Sequence, residues 1–342
     1  MKRSLFSKNQ ITLIAELSAN HNGSLQHAKK LIKLAKKSGA DIVKFQTYSP
    51  DTMTIKSNRR EFKIKNGLWK GSNLWELYSK GQTPLSWHKE LFLYAKSLKI
   101  PCFSSPFDIQ SVDFLEKLKC PYYKIASNEI THYPLIKKVS KTNKPVIIST
   151  GMSNLREVEK AYFTAKKNGA SEIILLYCVS NYPADFNDFN LENIRVLKNR
   201  FKCKVGFSDH SVDNRIAMSA ITAGADIVEK HFALKNQKRG LDVDFSVKGN
   251  ELKIFKDDMK LAYQMRGKPY FYVSKKERKN IKFRRSIYVT QNIKKGEKFS
   301  EKNLKVIRPN FGLCPSFYES LLGKKSSYNL KKNTPLNKKA LK

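Results

Sequence analysis

No stretch of this 342-residue chain approaches the roughly 20 consecutive apolar residues that cross a bilayer. The run Ile173 to Val179 is too short to span. Glu16 interrupts the first apolar stretch behind Lys2 and Arg3, and no small-residue cleavage site follows. Neither an anchor nor a signal peptide is therefore expected, and the expected location is cytoplasmic. The five cysteines, at 102, 120, 178, 203 and 314, form no C-x-x-C pair, and an odd number suits no disulfide framework. Reduced, structural thiols follow. No Walker-type loop or G-x-G-x-x-G follows the first apolar run, so a nucleotide cofactor is not indicated.

Acidic side chains are also scarce: 29 Asp and Glu stand against 66 Lys and Arg, a formal net charge of +37. Such a charge ordinarily points to nucleic acid or an anionic membrane surface. Here the excess is mostly lysine, recurs along the chain and accompanies many Asn and Ile residues, the pattern of a genome-wide compositional bias. A specific binder gathers its charge into one stripe or arm, and the nearest candidate, Lys275 to Arg285, falls in an expected linker. Neither nucleic acid nor a membrane is the expected partner. The field still attracts small anions, a mild push towards phosphate chemistry.

What the chain does have is a regular alternation of short β-branched runs and longer amphipathic segments, the mark of repeated βα units. The runs are Thr12–Glu16, Ile42–Gln46, Pro101–Ser104, Tyr122–Ile125, Val146–Ser149, Ile173–Tyr177, Lys204–Phe207 and Ile227–Lys230. Helices are predicted over Gln26–Lys37, Ser86–Leu98, Ser111–Leu118, Pro134–Lys141, Leu155–Asn168, Leu191–Asn199, Asp213–Ala223 and Glu251–Met265. Gly39, Gly169 and Gly224 each follow a helical stretch, where a left-handed residue closes it. The fold class is therefore α/β, a (β/α)8 TIM barrel. Asp51 to Pro84 is too long for a βα loop; its aromatics, Trp69, Trp75 and Tyr78, suggest an insertion packed over the barrel mouth. Beyond Met265 the rhythm stops, and Gly267, Pro269 and the basic stretch mark a boundary. The expected division is a barrel over residues 1–266, a linker over 267–282 and a small domain over 283–342, built of short strands and turns.

In such a barrel the carboxyl ends of the strands converge on the active site. His210 and His231 end neighbouring runs, 21 positions apart, the separation that one βα unit supplies. Two neutral imidazoles with water or substrate oxygens suit Mn²⁺, Zn²⁺ or a similar borderline cation; the alternative is two hydrogen-bonded rim residues. Lys44 and Lys124 lie within or at the end of strands, where an unpaired lysine is unexpected. A substrate phosphate or carboxylate would satisfy them, with Ser105, Ser127, Ser149 and Ser208 adding hydrogen bonds. The alternatives are a salt bridge to Glu16 or Glu129, or a Schiff base. Glu16 and Glu129 stand where they could transfer protons, hold sugar hydroxyls or neutralise a lysine. Phe107, Phe207 and Phe232 read first as packing, with Phe107 kept as a substrate contact.

The strings Ala15-Glu16-Leu17-Ser18-Ala19-Asn20-His21-Asn22-Gly23, Val43-Lys44-Phe45-Gln46-Thr47, Lys124-Ile125-Ala126-Ser127-Asn128-Glu129, Ser149-Thr150-Gly151-Met152, Ser208-Asp209-His210 and Glu229-Lys230-His231 together resemble the sialic acid synthase family. The likeness covers nearly the whole chain. In the tail, Ile293-Lys294-Lys295-Gly296-Glu297 and Val306-Ile307-Arg308-Pro309 look like that family's antifreeze-like (SAF) domain. The resemblance implies condensation of phosphoenolpyruvate with an open-chain N-acetylated amino sugar, giving a nine-carbon 2-keto acid and phosphate. It implies that His210 and His231 hold a divalent metal, Mn²⁺ first, with Mg²⁺ or Co²⁺ as alternatives. Lys44, Ser105, Lys124, Ser127 and Ser208 would bind phosphoenolpyruvate, Glu129 would lie between the substrates, and Gln46, Tyr182 and Asp242 would contact the sugar. Glu16 would handle protons or metal-bound water. Arg308 would reach an N-acyl group in the partner's barrel, making the active unit a domain-swapped homodimer.

Where N-acetylneuraminate synthases commonly have a Thr-Asn-Ile-Tyr-Pro-like string, this chain has Val179-Ser180-Asn181-Tyr182-Pro183, so Ser180 replaces the Asn contact. That change, the Asn66-Gly67-Leu68-Trp69 insertion, Leu74-Trp75-Glu76-Leu77-Tyr78 and Arg308-Pro309-Asn310-Phe311-Gly312-Leu313 look more like the pseudaminic acid branch of the family. Its sugar is a 6-deoxy 2,4-diacetamido hexose, for which a pocket apolar around C6 is expected. The rivals are N-acetylneuraminate and legionaminic acid synthesis by the same mechanism, or a non-catalytic sugar- or nucleic-acid-binding protein.

Overall fold

The structure, a computed structural model, describes Phe6 and residues 10–341; Lys2 and Arg3 lie outside the described residues. Its first compact unit, Met1–Gly267, is built on eight parallel strands: β1 (Thr12–Glu16), β2 (Ile42–Thr47), β3 (Cys102–Pro106), β4 (Tyr123–Ile125), β5 (Val146–Ser149), β6 (Ile173–Cys178), β7 (Lys204–Asp209) and β8 (Ile227–Ala233). Each pairs with the next in sequence, and β8 pairs back onto β1 from Thr12↔Ile227 to Glu16↔His231, closing the barrel. Val, Ile and Leu dominate because a barrel strand is covered on both faces.

The connecting helices turn one apolar stripe inward. In the helix Leu25–Lys37, Ala28, Leu31, Ile32 and Ala35 are buried, while lysines occupy the outer face. The Ser24 hydroxyl accepts from His27 N at its start, satisfying one orphan donor of the first turn. Gly39, Gly169 and Gly224 have φ of 80°, 101° and 124°, the positive values that follow several of these helices. All eight predicted helices start and stop within two residues of the sequence reading, the largest shift being that of Asn193–Phe201, displaced by two residues at each end.

The larger difference lies at the strand ends. β3, β7 and β8 run on to Pro106, Asp209 and Ala233, so Ser105, Ser208 and His231 sit inside strands. The ladder continues through Cys178↔Ser208 and Glu16↔His231 because backbone pairing is indifferent to the polarity of inward side chains. A short strand, β9 (Val247–Lys248), adds to the end of β8. The insertion after β2 carries helices Pro50–Met53 and Leu74–Gly81 and a Lys63↔Asn73 bridge.

The second unit, Lys268–Lys342, has its own core of Ile287, Val289, Ile293, Phe299, Leu304, Leu313 and Leu336. β10 (Ser286–Val289) and β11 (Leu304–Ile307) pair antiparallel, and a helical turn, Lys275–Arg278, lies within the basic stretch. Gly312 is required there: a Cβ would collide with the Ile287 carbonyl. Among the described residues no helix is long and apolar enough to cross a membrane. All five cysteines are free, and burial raises the Cys102 and Cys120 thiols above their ordinary range.

Candidate active site

Alternation along each strand sends every second side chain into the barrel. At the carboxyl end these inward positions frame a cavity of about 280 Å³. Lys44, Gln46, Phe107, Lys124, Ser127, Ser149, Tyr182, Ser208, His210, His231 and Asp242 line it. Lys44 and Asp242, 198 positions apart in sequence, thus share one small space.

The floor is a buried charge cluster. Lys44 Nζ lies 2.5 Å from Glu16 Oε2 and 3.0 Å from Glu229 Oε1, and Lys124 Nζ donates to Glu229 Oε1 at 2.8 Å. Ser208 Oγ donates to the same oxygen at 3.1 Å. Burial alone would push Glu229 up, but the two ammonium groups outweigh it and hold the carboxyl well below its usual range. Burial lowers Lys44 to about 7, with Glu229 opposing the shift and Lys124 reinforcing it.

The salt-bridge alternative for the lysines is thus realised in part: Glu16 pairs with Lys44, Glu129 pairs with neither lysine, and the shared partner is Glu229. Sequence reasoning gave Glu229 no role. The signal was available, since a two-residue step from an inward His231 puts Glu229 on the same face. The single-residue offset turns Lys230, between them, away from the cavity. It meets Asp209 on the outer side of the barrel.

His210 Nδ1 lies 3.0 Å from the Val179 carbonyl, an acceptor only, so Nδ1 carries the proton and Nε2 keeps its lone pair. Burial lowers His210 to about 4 and His231 well below its ordinary value, so both rings are neutral near pH 7. The rings are 5.5 Å apart, and buried His231 Nδ1 has no hydrogen-bond partner, lying 3.7 Å from Asp242 Oδ2. Among the described residues no three His, Cys, Asp or Glu side chains cluster closely enough to hold a cation alone. The donor set fits a borderline divalent ion that takes its remaining oxygens from water or substrate.

Other polar groups in this region also lack partners. Ser105 Oγ, Ser149 Oγ and Glu229 Oε2 are buried without hydrogen bonds. Ser127 Oγ accepts from Gly151 N at 3.1 Å, and Ser180 Oγ packs against the same glycine, where a Cβ would collide with it. Ser105, Ser180 and Glu16 are not on the cavity wall itself. Glu129 lines an adjoining hollow that shares Met53, Tyr78, Phe107 and Asn128 with the main cavity. Burial raises it to about 7, and its Oε2 is unpartnered. Asp242 Oδ2 accepts from Ala19 N at 3.3 Å, and burial raises this carboxyl as well. Phe207 and Phe232 are fully buried core, whereas Phe107 packs edge-on against Tyr48 and faces the cavity. Arg308 stands exposed just beyond β11 on the second unit.

The roof is apolar and comes largely from the insertion: Met53, Ile64, Trp69, Leu74 and Leu77. Trp69 packs against Tyr182, the rings tilted by 43° with centroids 5.5 Å apart, and its indole N–H donates to the Leu241 carbonyl at 3.1 Å. It ties together the loops that carry Tyr182 and Asp242. Tyr78 also lines the cavity. Trp75 departs from the expected mouth packing: its indole donates to Asp51 at 2.8 Å, with Lys56 over its face, and it does not line the cavity.

Comparison with known proteins matches this architecture. Residues 31–270 match the NeuB family and residues 284–342 the SAF domain. The chain is 43% identical to the pseudaminic acid synthase of Helicobacter pylori, over 95% of this chain and 96% of the relative. It is 42% identical to the N,N'-diacetyllegionaminic acid synthase of Campylobacter jejuni, over 94% and 97%. The crystal structure of N-acetylneuraminic acid (sialic acid) synthetase from Leptospira borgpetersenii superposes with a TM-score of 0.72 at 27% identity, covering 80% of this chain and 90% of that one. The barrel with its paired histidines and lysines, followed by the SAF domain, belongs to a member of the NeuB family.

Proposed function

We propose that this chain is a pseudaminic acid synthase, condensing phosphoenolpyruvate with 2,4-diacetamido-2,4,6-trideoxy-β-L-altropyranose to give pseudaminic acid and phosphate. One observation carries the reading: a floor of two lysines and buried, unpartnered polar atoms faces a roof without hydrogen-bonding groups at Met53, Ile64, Leu74 and Leu77. An anionic small molecule suits the floor. A sugar end bearing methyl in place of hydroxymethyl suits the roof, because a hydroxyl buried there would lose its water and gain no partner.

Lys44, Lys124, Ser105, Ser127, Ser149, Ser180 and Ser208 would hold the phosphate and carboxylate of phosphoenolpyruvate. Gln46, Phe107, Tyr182 and Asp242 would orient the sugar, and Arg308 of a second subunit would reach its N-acyl group in a domain-swapped homodimer. His210 and His231 would hold the metal, Mn²⁺ first; when bound it supplies Lewis-acid polarisation of the sugar aldehyde. The enol C3 then attacks the aldehyde carbon, positive character develops at C2, water adds there, and phosphate leaves with cleavage of the C–O bond. Glu129 lies on the flank of the cavity where a carboxyl of raised pKa can give and take a proton near neutrality. Glu16, against Lys44, serves the proton inventory from the other side. Held in register, the two substrates react as one assembly. The expected location is the cytoplasm, and the expected use is a bacterial surface sugar.

The identities of 43% and 42% to the two kinds of relative barely separate pseudaminic from legionaminic acid synthesis. The choice rests on the Val179–Pro183, Asn66–Trp69, Leu74–Tyr78 and Arg308–Leu313 strings. Phosphate release with phosphoenolpyruvate, Mn²⁺ and each sugar tests the assignment. Turnover of the altro-configured diacetamido sugar, abolished by EDTA and by His210→Ala, is expected. Turnover of N-acetylmannosamine alone would overturn it.

A further inference from the structure

Lys230 is the most deeply buried lysine among those whose pairing the cavity does not explain. Its side chain is 1% exposed and its partner Asp209 is 0% exposed, with Nζ 2.9 Å from Oδ2. The two residues are direct register partners on β7 and β8, Asp209↔Lys230. Each immediately precedes a histidine of the candidate metal pair, His210 and His231. Because side chains alternate across a strand, the ion pair lies on the back of the sheet while His231 faces the cavity.

The grip extends across His210. Lys230 Nζ also donates to the Ser211 carbonyl at 2.5 Å, so one ammonium holds the residues on both sides of that histidine. Asp209 Oδ1 in turn accepts from Ser211 N at 2.9 Å, and Ser211 Oγ lies 2.6 Å from the same oxygen. The backbone on both sides of His210 is thereby pinned from behind to Lys230, the residue that precedes His231. A fully buried ion pair is poor value as stabilisation, since apolar side chains of like volume serve as well or better. Its directional bonds offer something apolar packing does not, a fixed distance between two strand ends.

We propose that the Asp209–Lys230 pair is a positioning device that sets the spacing of His210 and His231 for a divalent cation, an inference that rests on the reading of those histidines as metal ligands. The pair touches neither metal nor substrate; it acts through the backbone. Loss of comparable outer-layer partners weakens metal affinity by about 10–100-fold.

The test is titration of the full-length protein with Mn²⁺ alone, followed calorimetrically and by the electron paramagnetic resonance of free Mn²⁺, with thermal denaturation run in parallel. The double variant Asp209→Asn/Lys230→Met removes both charges, keeps side-chain volume and retains an acceptor for Ser211 N. Asp209→Asn alone is the milder change, read the same way should the double variant not fold. The control is Lys256→Met, which breaks the ion pair of another buried lysine, Lys256–Asp41 at 2.5 Å, remote from the histidines in the register of the barrel. A folded Asp209 or Lys230 variant that binds Mn²⁺ at least tenfold more weakly, beside an unchanged control, supports the inference. Wild-type affinity in those variants overturns it. A wild-type protein that binds no Mn²⁺ overturns instead the metal reading beneath it.

Discussion

Lys44 and Lys124 were legible as candidate site residues because a lysine inside an apolar strand has no solvent to reach. Glu229 was not, because in Glu229-Lys230-His231 three polar residues in succession hide which face each occupies. Only closure of the barrel separates them: Glu229 beneath the two lysines, Lys230 behind the sheet, His231 in the cavity. Glu129 illustrates a different gap, since its spacing gave its place after β4 but not its environment. Burial raises it from an ordinary 4.5 to about 7. Between those values the unfolded chain is ionised at this residue and the folded protein is protonated. This contribution to stability is therefore complete at lower pH and is lost as pH rises through about 7. The buried neutral histidines act in the opposite sense in both proteins, so the prediction is a difference: relative to Glu129→Gln, the metal-free wild type should lose urea stability as pH rises from about 4.5 to about 7. An identical slope in both proteins would mean that the carboxyl is not desolvated.

At the scale of elements, the alternation of apolar runs sufficed for eight strands and their helices, because each strand is covered on both faces and each helix on one. It stopped short at the ends of β3, β7 and β8, where the runs turn polar while the backbone ladder continues. Hydrophobic pattern reports side chains, not hydrogen bonding, so strands that carry a site look shorter than they are. The insertion was recognisable from its length and aromatics, but not the division of labour within it. Trp69 and Tyr78 face the cavity, while Trp75 fastens the insertion to itself through Asp51. Trp69→Ala should raise the sugar's KM about tenfold, the equivalent of about 1.4 kcal/mol, and leave the KM for phosphoenolpyruvate within about twofold. Trp75→Ala should leave both within about twofold. Steady-state kinetics with each substrate varied checks this, and equal effects of Trp69→Ala on both constants would remove Trp69 from the sugar side.

Across the whole molecule, the net charge of +37 says little about partners until it is placed. Most of it lies in exposed lysines, whereas the two lysines lining the cavity are balanced by Glu16 and Glu229. The site is thus a nearly neutral cluster inside a cationic protein. Under the proposed function the cluster would exchange its internal partners for the phosphate and carboxylate of phosphoenolpyruvate, with the surrounding field raising the local concentration of anions. The two-unit organisation, a barrel followed by a SAF domain, was readable from the loss of βα rhythm after Met265 and from the tail motifs. What composition and periodicity do not encode is stereochemistry, because an apolar roof reads the absence of a hydroxyl and not the hand of a ring carbon.

The choice of sugar is therefore the point most directly open to measurement. The protein is given phosphoenolpyruvate, Mn²⁺ and equal concentrations of two sugars, the altro-configured diacetamido sugar and the precursor of N,N'-diacetyllegionaminic acid, and the 2-keto acids are separated chromatographically. Pseudaminic acid as the dominant product, formed one for one with phosphate, is the expected result. Dominant formation of the legionaminic isomer, or phosphate release without any nine-carbon acid, would contradict it.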